Sequence, residues 1–418
     1  MLFRSVLTGS KVADYYEKFV SANEGEVIDS TGMLKSTSGV VNVAEVGGVK
    51  YASLAEAVAK AKELGKTDIN LIGSESFANA TTIALGNVRL NVTSGMDVTL
   101  SGKLTLTGGN TAVHIIYVNG GKLTLDGVTV KDHTSTGNKG AIAVANKGSI
   151  TLNNCELKNL KAERGALYLN GANGAFSISA TNTKFTDNES TAFGGAVSTY
   201  GAITSTFAGC TFSGNVADTY GGAFAAYNAS GSDSASTTFK DCVFANNTAS
   251  TQGGGAAYLR GTVTISGSSF SGNSAATNSG AVHFYVTSAT VTNTSFTDNT
   301  AGSGESAIRL ANSGKLTLDG VTSTGNTSYD ANISSGTLTL KGATKIGAIA
   351  LGGKTVTVDA SLSLADSTQP IGLVATAGAT AIKGSISDTH DMFVVVNASG
   401  EIDTSLTMDA SGKVVSAG

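Results

Sequence analysis

The chain repeats itself, and that repetition limits the folds open to it more than any other property. A Phe-x-x-Asn element occurs as Phe185–Asn188, Phe212–Asn215, Phe244–Asn247, Phe270–Asn273 and Phe296–Asn299, with a worn copy at Ser323–Asn326. Successive copies are 27, 32, 26, 26 and 27 residues apart. A second element, Gly-Gly-Ala followed by an apolar residue, occurs as Gly194–Val197, Gly221–Phe224 and Gly254–Ala257, with weaker copies at Ser279–Val282, Arg164–Leu167 and Lys139–Ile142. The octapeptide Lys-Leu-Thr-Leu-Asp-Gly-Val-Thr stands identically at Lys122–Thr129 and Lys315–Thr322. Each unit holds about three short strands of alternating polarity between Gly and Asn, and none shows a helical period. A unit this short cannot bury its own apolar face; it must stack on its neighbours, one coil per ~4.8 Å strand spacing. The predicted fold is all-β: a right-handed parallel β-helix of roughly a dozen coils, a rod ~60 Å long.

The repeated residues then acquire expected roles. Phe185, Phe212, Phe244, Phe270 and Phe296 point inward and stack coil on coil. Asn188, Asn215, Asn247, Asn273 and Asn299 sit in turns, tolerate left-handed φ and bond their copies above and below. The paired glycines allow a sharp turn beside a crowded interior. Cys155, Cys210 and Cys242 lie two residues before the Phe position, where other coils carry Thr183, Ser268 and Thr294. That reads as a ladder of small residues; a bridge between Cys210 and Cys242 would be strained by parallel side-chain vectors. The chain divides into residues 1–69, a segment with capping helices; 70–385, the β-helix; and 386–418, degenerate strands or a hairpin. The capping segment rests on helical spacing in Lys11–Val20 and on Ser53-Leu-Ala-Glu56, a capping box ahead of Ala57–Leu64.

The Gly-Gly-Ala and Phe-x-x-Asn elements, over about residues 139–326, resemble the repeats of chlamydial polymorphic outer membrane proteins. Those are β-helical passengers of autotransporter-type adhesins. Tyr51-Ala-Ser-Leu-Ala-Glu-Ala-Val58 followed by Ile69-Asn-Leu-Ile72 resembles the opening of pectate-lyase-like β-helix proteins on bacterial surfaces. The resemblance implies secretion or surface exposure. No signal peptide or translocating barrel is visible, so a truncated reading frame is expected. It also implies adhesion, although the same coils carry enzymes, phage spikes and inert stalks.

Composition argues against several other functions. The net charge is −4 with no run of like charge, which makes nucleic acid a poor partner. No stretch approaches the ~20 apolar residues of a membrane helix, so membrane insertion by this segment is not expected. Enzymes of this fold that cleave polysaccharides use paired or clustered carboxylates. Here no Asp-Asp pair occurs, and His114, His133, His283 and His390 are scattered. The densest local group, Lys131-Asp132-His133 with Glu163-Arg164 one coil on, reads as a solvated turn. Ala348–Thr355 satisfies a relaxed phosphate-loop pattern, but the strand-like Val356-Thr-Val-Asp359 follows where such a loop needs a helix. No catalytic residue, metal site or cofactor is assigned.

What rises above scaffold is a line of tyrosines. With the apolar residue after Gly-Ala set inward, Tyr168, Tyr200, Tyr227, Tyr258 and Tyr285 point outward on one face, joined by Arg260, His283 and Arg309. Tyr168 and Tyr258 fall at the first outward position and the other three at the second. A flat face of this kind stacks sugar rings or anchors a protein; cross-coil stacking that only stabilises the sheet is the competing account. The expected function is a non-catalytic secreted or surface β-helix that binds a glycan or protein of a host or neighbouring cell. The rivals are a carbohydrate-active enzyme with a diverged site and an inert stalk.

Overall fold

A computed structural model describes residues 41–418 except 138–139, 228–233, 303–305, 385–388 and 418, together with the short antiparallel pair Glu26–Ile28 and Leu34–Ser36. The helix expected over Lys11–Val20 lies outside the described residues. The chain is a parallel β-solenoid of about 12 turns, almost entirely β. Three faces run the length of the rod. The first begins at Asp68–Leu71, passes through Ile116–Asn119, Ile142–Ala145 and Phe224–Tyr227, and ends at Phe393–Val396. The second follows the Lys-Leu-Thr-Leu-Asp strands, with Lys122–Asp126 in register between Asp97–Ser101 and Ser149–Asn153. The third carries the Phe strands, from Lys184–Thr186 to Ser295–Thr297. A fourth strand of only two residues, such as Val216–Ala217, follows each Asn corner from Asn188 to Asn299.

Strict alternation decides which side chains go in. In Lys122–Asp126, Leu123 and Leu125 are buried while Thr124 faces out. That outward central row of the second face is Thr in every coil from Thr99 to Thr357, with Ser179 the one exception. Cross-strand pairs of this sort add about 0.2–1 kcal/mol each. Inside, Phe185, Phe212, Phe244, Phe270 and Phe296 stack with ring centroids 4.7, 4.6, 4.6 and 4.9 Å apart and planes within 9° of parallel. Phe239, on the second face, meets Phe212, Phe244 and Phe224 edge-on at 6.1, 5.0 and 5.2 Å, which locks the three faces together.

The Asn ladder differs from expectation in one respect. The Asn residues are buried, and the left-handed backbone lies one residue earlier, at Asp187 (φ 53°), Gly214 (64°), Asn246 (55°), Gly272 (60°) and Asp298 (53°). The bend at that preceding residue swings the Asn side chain into the interior. There, Asn215 Nδ2 donates to Asn247 Oδ1 at 2.9 Å and to the Phe185 carbonyl at 2.9 Å, while Asn215 N–H donates to the same Asn247 Oδ1 at 3.0 Å. The pattern repeats from Asn188 to Asn326, so the chain's backbone donors at each corner are met by the next coil's side chain. A buried amide is tolerated only when paired in this way.

The corner between the second and third faces explains the small-residue ladder. Cys155, Thr183, Cys210, Cys242, Ser268 and Thr294 each donate from Sγ or Oγ to the carbonyl two residues back, at 2.9–3.5 Å. The cysteines are free and buried. Burial raises the Cys155 thiol to about 11. The contact between Cys210 and Cys242, and then burial, pushes the Cys242 thiol up, while the same contact lowers Cys210.

At the amino-terminal end, helix Leu54–Glu63 turns Leu54, Ala57, Val58 and Ala61 into the core. Ser53 Oγ accepts from the Glu56 N–H at 3.3 Å, and Glu75 of the first coil accepts from the Leu54 N–H at 2.8 Å. The helix thus covers the first coil, an end that would otherwise template further pairing. After Val396 the parallel ladder stops and the antiparallel pair Leu406–Met408 and Val414–Ser416 follows.

Candidate functional site

The candidate site lies on the first face, just after the Gly-Gly-Ala turns. Both glycines of each turn are dictated by crowding. A Cβ on Gly221 (φ 66°) would meet the Phe224 carbonyl at 2.1 Å, and one on Gly222 would meet the Gly255 carbonyl at 2.1 Å. The strand that follows alternates, with Leu167, Val197, Phe224, Ala257 and Val282 buried in the core. The first outward row reads Tyr168, Ser198, Ala225, Tyr258, His283, Arg309 in register from coil to coil. In the second, Tyr200 aligns with Tyr227, and Arg260 with Tyr285.

The face is not the flat, open one expected. Tyr168, Tyr258 and His283 are only 6, 8 and 6% exposed, and Ser198 and Ala225 are 0% exposed although both point away from the core. The turns before the strands fold back over this row and bring Phe193 and Tyr220 onto it. Phe193 stacks on Tyr227 at 4.6 Å, Tyr227 lies 5.9 Å from Tyr200, and Tyr220 sits 4.7 Å from Tyr258 and 6.0 Å from His283. Tyr258 meets His283 edge-on at 5.3 Å. The first row is therefore the floor of a small second core outside the solenoid. Its half-exposed upper layer is Phe193, Tyr200, Tyr220, Tyr227 and Tyr285.

Cations are threaded through this layer. The Arg164 guanidinium lies 4.8 Å from the Phe193 ring, 5.5 Å from Tyr227 and 6.0 Å from Tyr168, with Glu163 3.5 Å from its Nε. Arg260 stacks on Tyr285 at 4.6 Å, and Arg309 donates to Asn278 Oδ1 at 2.5 Å. Guanidinium on an aromatic face contributes ~0.5–2 kcal/mol, more as water is excluded. Burial, then the charge of Arg309, lowers the His283 pKa to about 3, so this imidazole is neutral. Phe193, Tyr220 and the stacking role of Arg164 were missed by sequence reasoning. The available signal was an aromatic immediately before Gly-Gly in two consecutive copies, Phe193-Gly194-Gly195 and Tyr220-Gly221-Gly222.

The other local group is not brought together. His133 turns inward: Nδ1 accepts from the Gly109 N–H at 3.3 Å and Nε2 lies 3.1 Å from the Val113 carbonyl. It pairs in register with Leu160, whose N–H donates to Asn188 Oδ1. His133 therefore occupies the Asn-ladder slot of an earlier coil, and its Nδ1 does the work of an Asn Oδ1. Burial lowers its pKa. Asp132 points outward to Lys131 at 3.7 Å and Asn159 at 2.8 Å, and Arg164 belongs to the aromatic layer. In the phosphate-loop-like segment, Gly352 and Gly353 form a left-handed turn between strands Ala348–Ala350 and Val356–Val358, with no helix to receive a phosphate.

Residues 113–286 match the family described as Right handed beta helix region, a stretch that includes the whole aromatic layer. No curated protein and no solved structure shows significant similarity to the chain. The chain is thus similar to right-handed, pectate-lyase-like β-helices over its central coils, in a family that holds both enzymes and non-enzymes.

Proposed function

We propose that this chain is the rod of a secreted or surface-exposed, adhesin-like protein of the autotransporter-passenger kind. It binds a glycan or protein partner, without turnover, through the aromatic layer of the first face. The observation that carries this reading is the half-exposed set Phe193, Tyr200, Tyr220, Tyr227 and Tyr285, held by mutual stacking and by Arg164 and Arg260. Rings fixed in this way lose little rotamer freedom on binding and offer both apolar area and hydroxyls. Tyr168, Tyr258 and His283 serve as its buried support, and Arg309 fixes the Asn278 turn at its edge.

The test is binding of the full chain to an immobilised panel of surface glycans and cell-surface proteins, compared with Tyr200→Ala/Tyr227→Ala. The expected result is a bound partner and at least a tenfold weaker complex for the variant, about 1.4 kcal/mol, with the β-solenoid fold retained by circular dichroism. Equal binding by the variant, or no binding by either, refutes it in favour of a stalk. A reducing-end assay on the same glycans adds the remaining outcome: ends that accumulate with time establish an enzyme and overturn the non-catalytic reading.

A further inference from the structure

We infer that the cavity where the Asn ladder ends is a sugar-binding site that seats one ring of a glycan. The Phe stack stops at Phe296, because the residue in register on the next coil is Ser323. In the same inward row Ser323 is followed by the buried Ile346, and beside this break in the aromatic stack a cavity of about 240 Å³ opens between Ser323–Gly325, Lys345–Gly347 and Gln369–Pro370. It belongs to the third face and to coils beyond the aromatic layer, so it stands independently of the function proposed for that layer.

The lining is suited to hydroxyl groups. Asp330, 8% exposed, ends the ladder: Oδ1 accepts from Asn326 Nδ2 at 2.9 Å and Oδ2 from the Gly347 N–H at 2.6 Å. A carboxylate offers about four acceptor positions, so this one keeps capacity for two more donors. The Lys345 ammonium, with three donors, reaches only to 3.5 Å from Asp366, and the Gln369 amide stands on the exposed rim. Ile346 and Pro370 supply apolar wall. A vicinal diol donates to the carboxylate and accepts from ammonium and amide, while the C–H face of its ring packs on Pro370. An anionic ligand is disfavoured by Asp330, and a bare cation by Lys345.

The experiment is saturation-transfer NMR on the full chain with the methyl glycosides of glucose, galactose, mannose and N-acetylglucosamine. A single-ring site should give a Kd on the order of 1 mM, about −4 kcal/mol. Two variants report on the cavity: Lys345→Met/Gln369→Ala, which changes only partly or fully exposed side chains, and Asp330→Asn, which keeps shape and removes charge. At least one glycoside should bind, both variants should weaken it by about tenfold or more, and Tyr200→Ala/Tyr227→Ala should leave it unchanged. Absence of binding by all four glycosides overturns the inference. So does binding that survives Lys345→Met/Gln369→Ala, and binding lost only with the tyrosines, which would place the sugar on the first face instead.

Discussion

Replacing Asn247 by Ala tests what holds the coils in register. Its side chain takes part in four bonds: Nδ2 donates to the Phe212 carbonyl and to Asn273 Oδ1, and Oδ1 accepts from Asn215 N–H and Asn215 Nδ2. Asn273 Oδ1 keeps the Asn247 backbone N–H, so the damage concentrates on Asn215, which loses partners for its N–H and one amide hydrogen deep in the interior. Two buried donors left unmet, at ~1–3 kcal/mol each, put the loss near 4 kcal/mol. At ~2.1 cal/mol/K per residue, cooperative melting of a ladder of ~350 residues converts that to a fall of roughly 5–6 °C. A block of three coils, ~80 residues, melting alone would fall several times further. Calorimetry of Asn247→Ala therefore gives both the strength of the ladder and the size of the unit that melts, and hydrogen exchange should show the Asn215 amide opening first. Asn247→Leu restores volume but no bonds and should fall as far. The exposed Asn173→Ala, which removes a single bond to Asn146, should stay within ~1 °C. If Asn247→Leu melts like the parent, packing and not hydrogen bonding holds the corner, and the account given of the ladder is wrong.

Two further outcomes follow from buried titratable groups. Burial lowers the pKa of His114, His133 and His283, so the unfolded chain binds protons below pH ~6.5 that the folded chain refuses. Stability is whole above that pH and declines as pH falls, by up to ~1.4 kcal/mol per pH unit for each His, continuing for His283 towards its folded value of about 3. Melting temperatures between pH 7 and 5 should slope downward, and His133→Asn, the residue the ladder uses elsewhere, should flatten the slope; an unchanged slope would show that His133 does not contribute. Cys155, Cys210 and Cys242 should be inert to a thiol reagent in the native rod and react together in denaturant, since each is buried; rapid labelling of the native chain would contradict that placement.

The sequence carried the fold because a solenoid writes its contacts locally. A residue's neighbour in space is its counterpart ~26 positions on, so the spacing of Phe185, Phe212 and Phe244 is at once repeat and contact map. The face of each strand was legible for the same reason: alternation from Val197 puts Tyr200 outward, and it is outward. What alternation cannot say is whether something else lies on top. Tyr258 lies beneath Tyr220 and Tyr168 beneath Arg164, side chains that sit in turns where no period fixes direction. His133 was misread as part of a surface group because a repeat slot was identified by residue type. Its place is set by register with Leu160 and Asn188, neither of which resembles it chemically. The cavity at Ser323 was hidden in the opposite way: a worn repeat reads as decay, while in three dimensions Ser323 borders a cavity beside a buried carboxylate.

The two left-handed corners of each coil show why the repeats are similar without being identical. At the corner before the Cys/Thr/Ser slot the chain reads Asn182, Gly209, Asp241, Gly267, Asn293, Gly320; at the corner before the ladder Asn it reads Asp187, Gly214, Asn246, Gly272, Asp298, Gly325. Asx and Gly alternate at both corners, and in phase. All twelve positions need positive φ, which Gly, Asn and Asp adopt at least cost. The alternation itself comes from the stacking. A Cβ on Gly209 would stand 2.6 Å from Asn182 Oδ1, and one on Gly214 2.5 Å from Asp187 Oδ1, because the Asx side chain of one coil occupies the space above its neighbour's corner. Over this stretch an Asx coil is followed by a Gly coil, and the Gly leaves room for the Asx side chain that lies over it. Earlier coils show a second solution: Asp132, Asn159 and Asp187 follow one another at the ladder corner, all with positive φ, and Asn159 Nδ2 donates to Asp132 Oδ1 at 2.8 Å. Neighbouring Asx side chains therefore stand together where an amide meets a carboxylate, so a single-coil consensus with Asx at every corner has to pair its side chains along both edges of the third face, whereas alternation with Gly avoids the need.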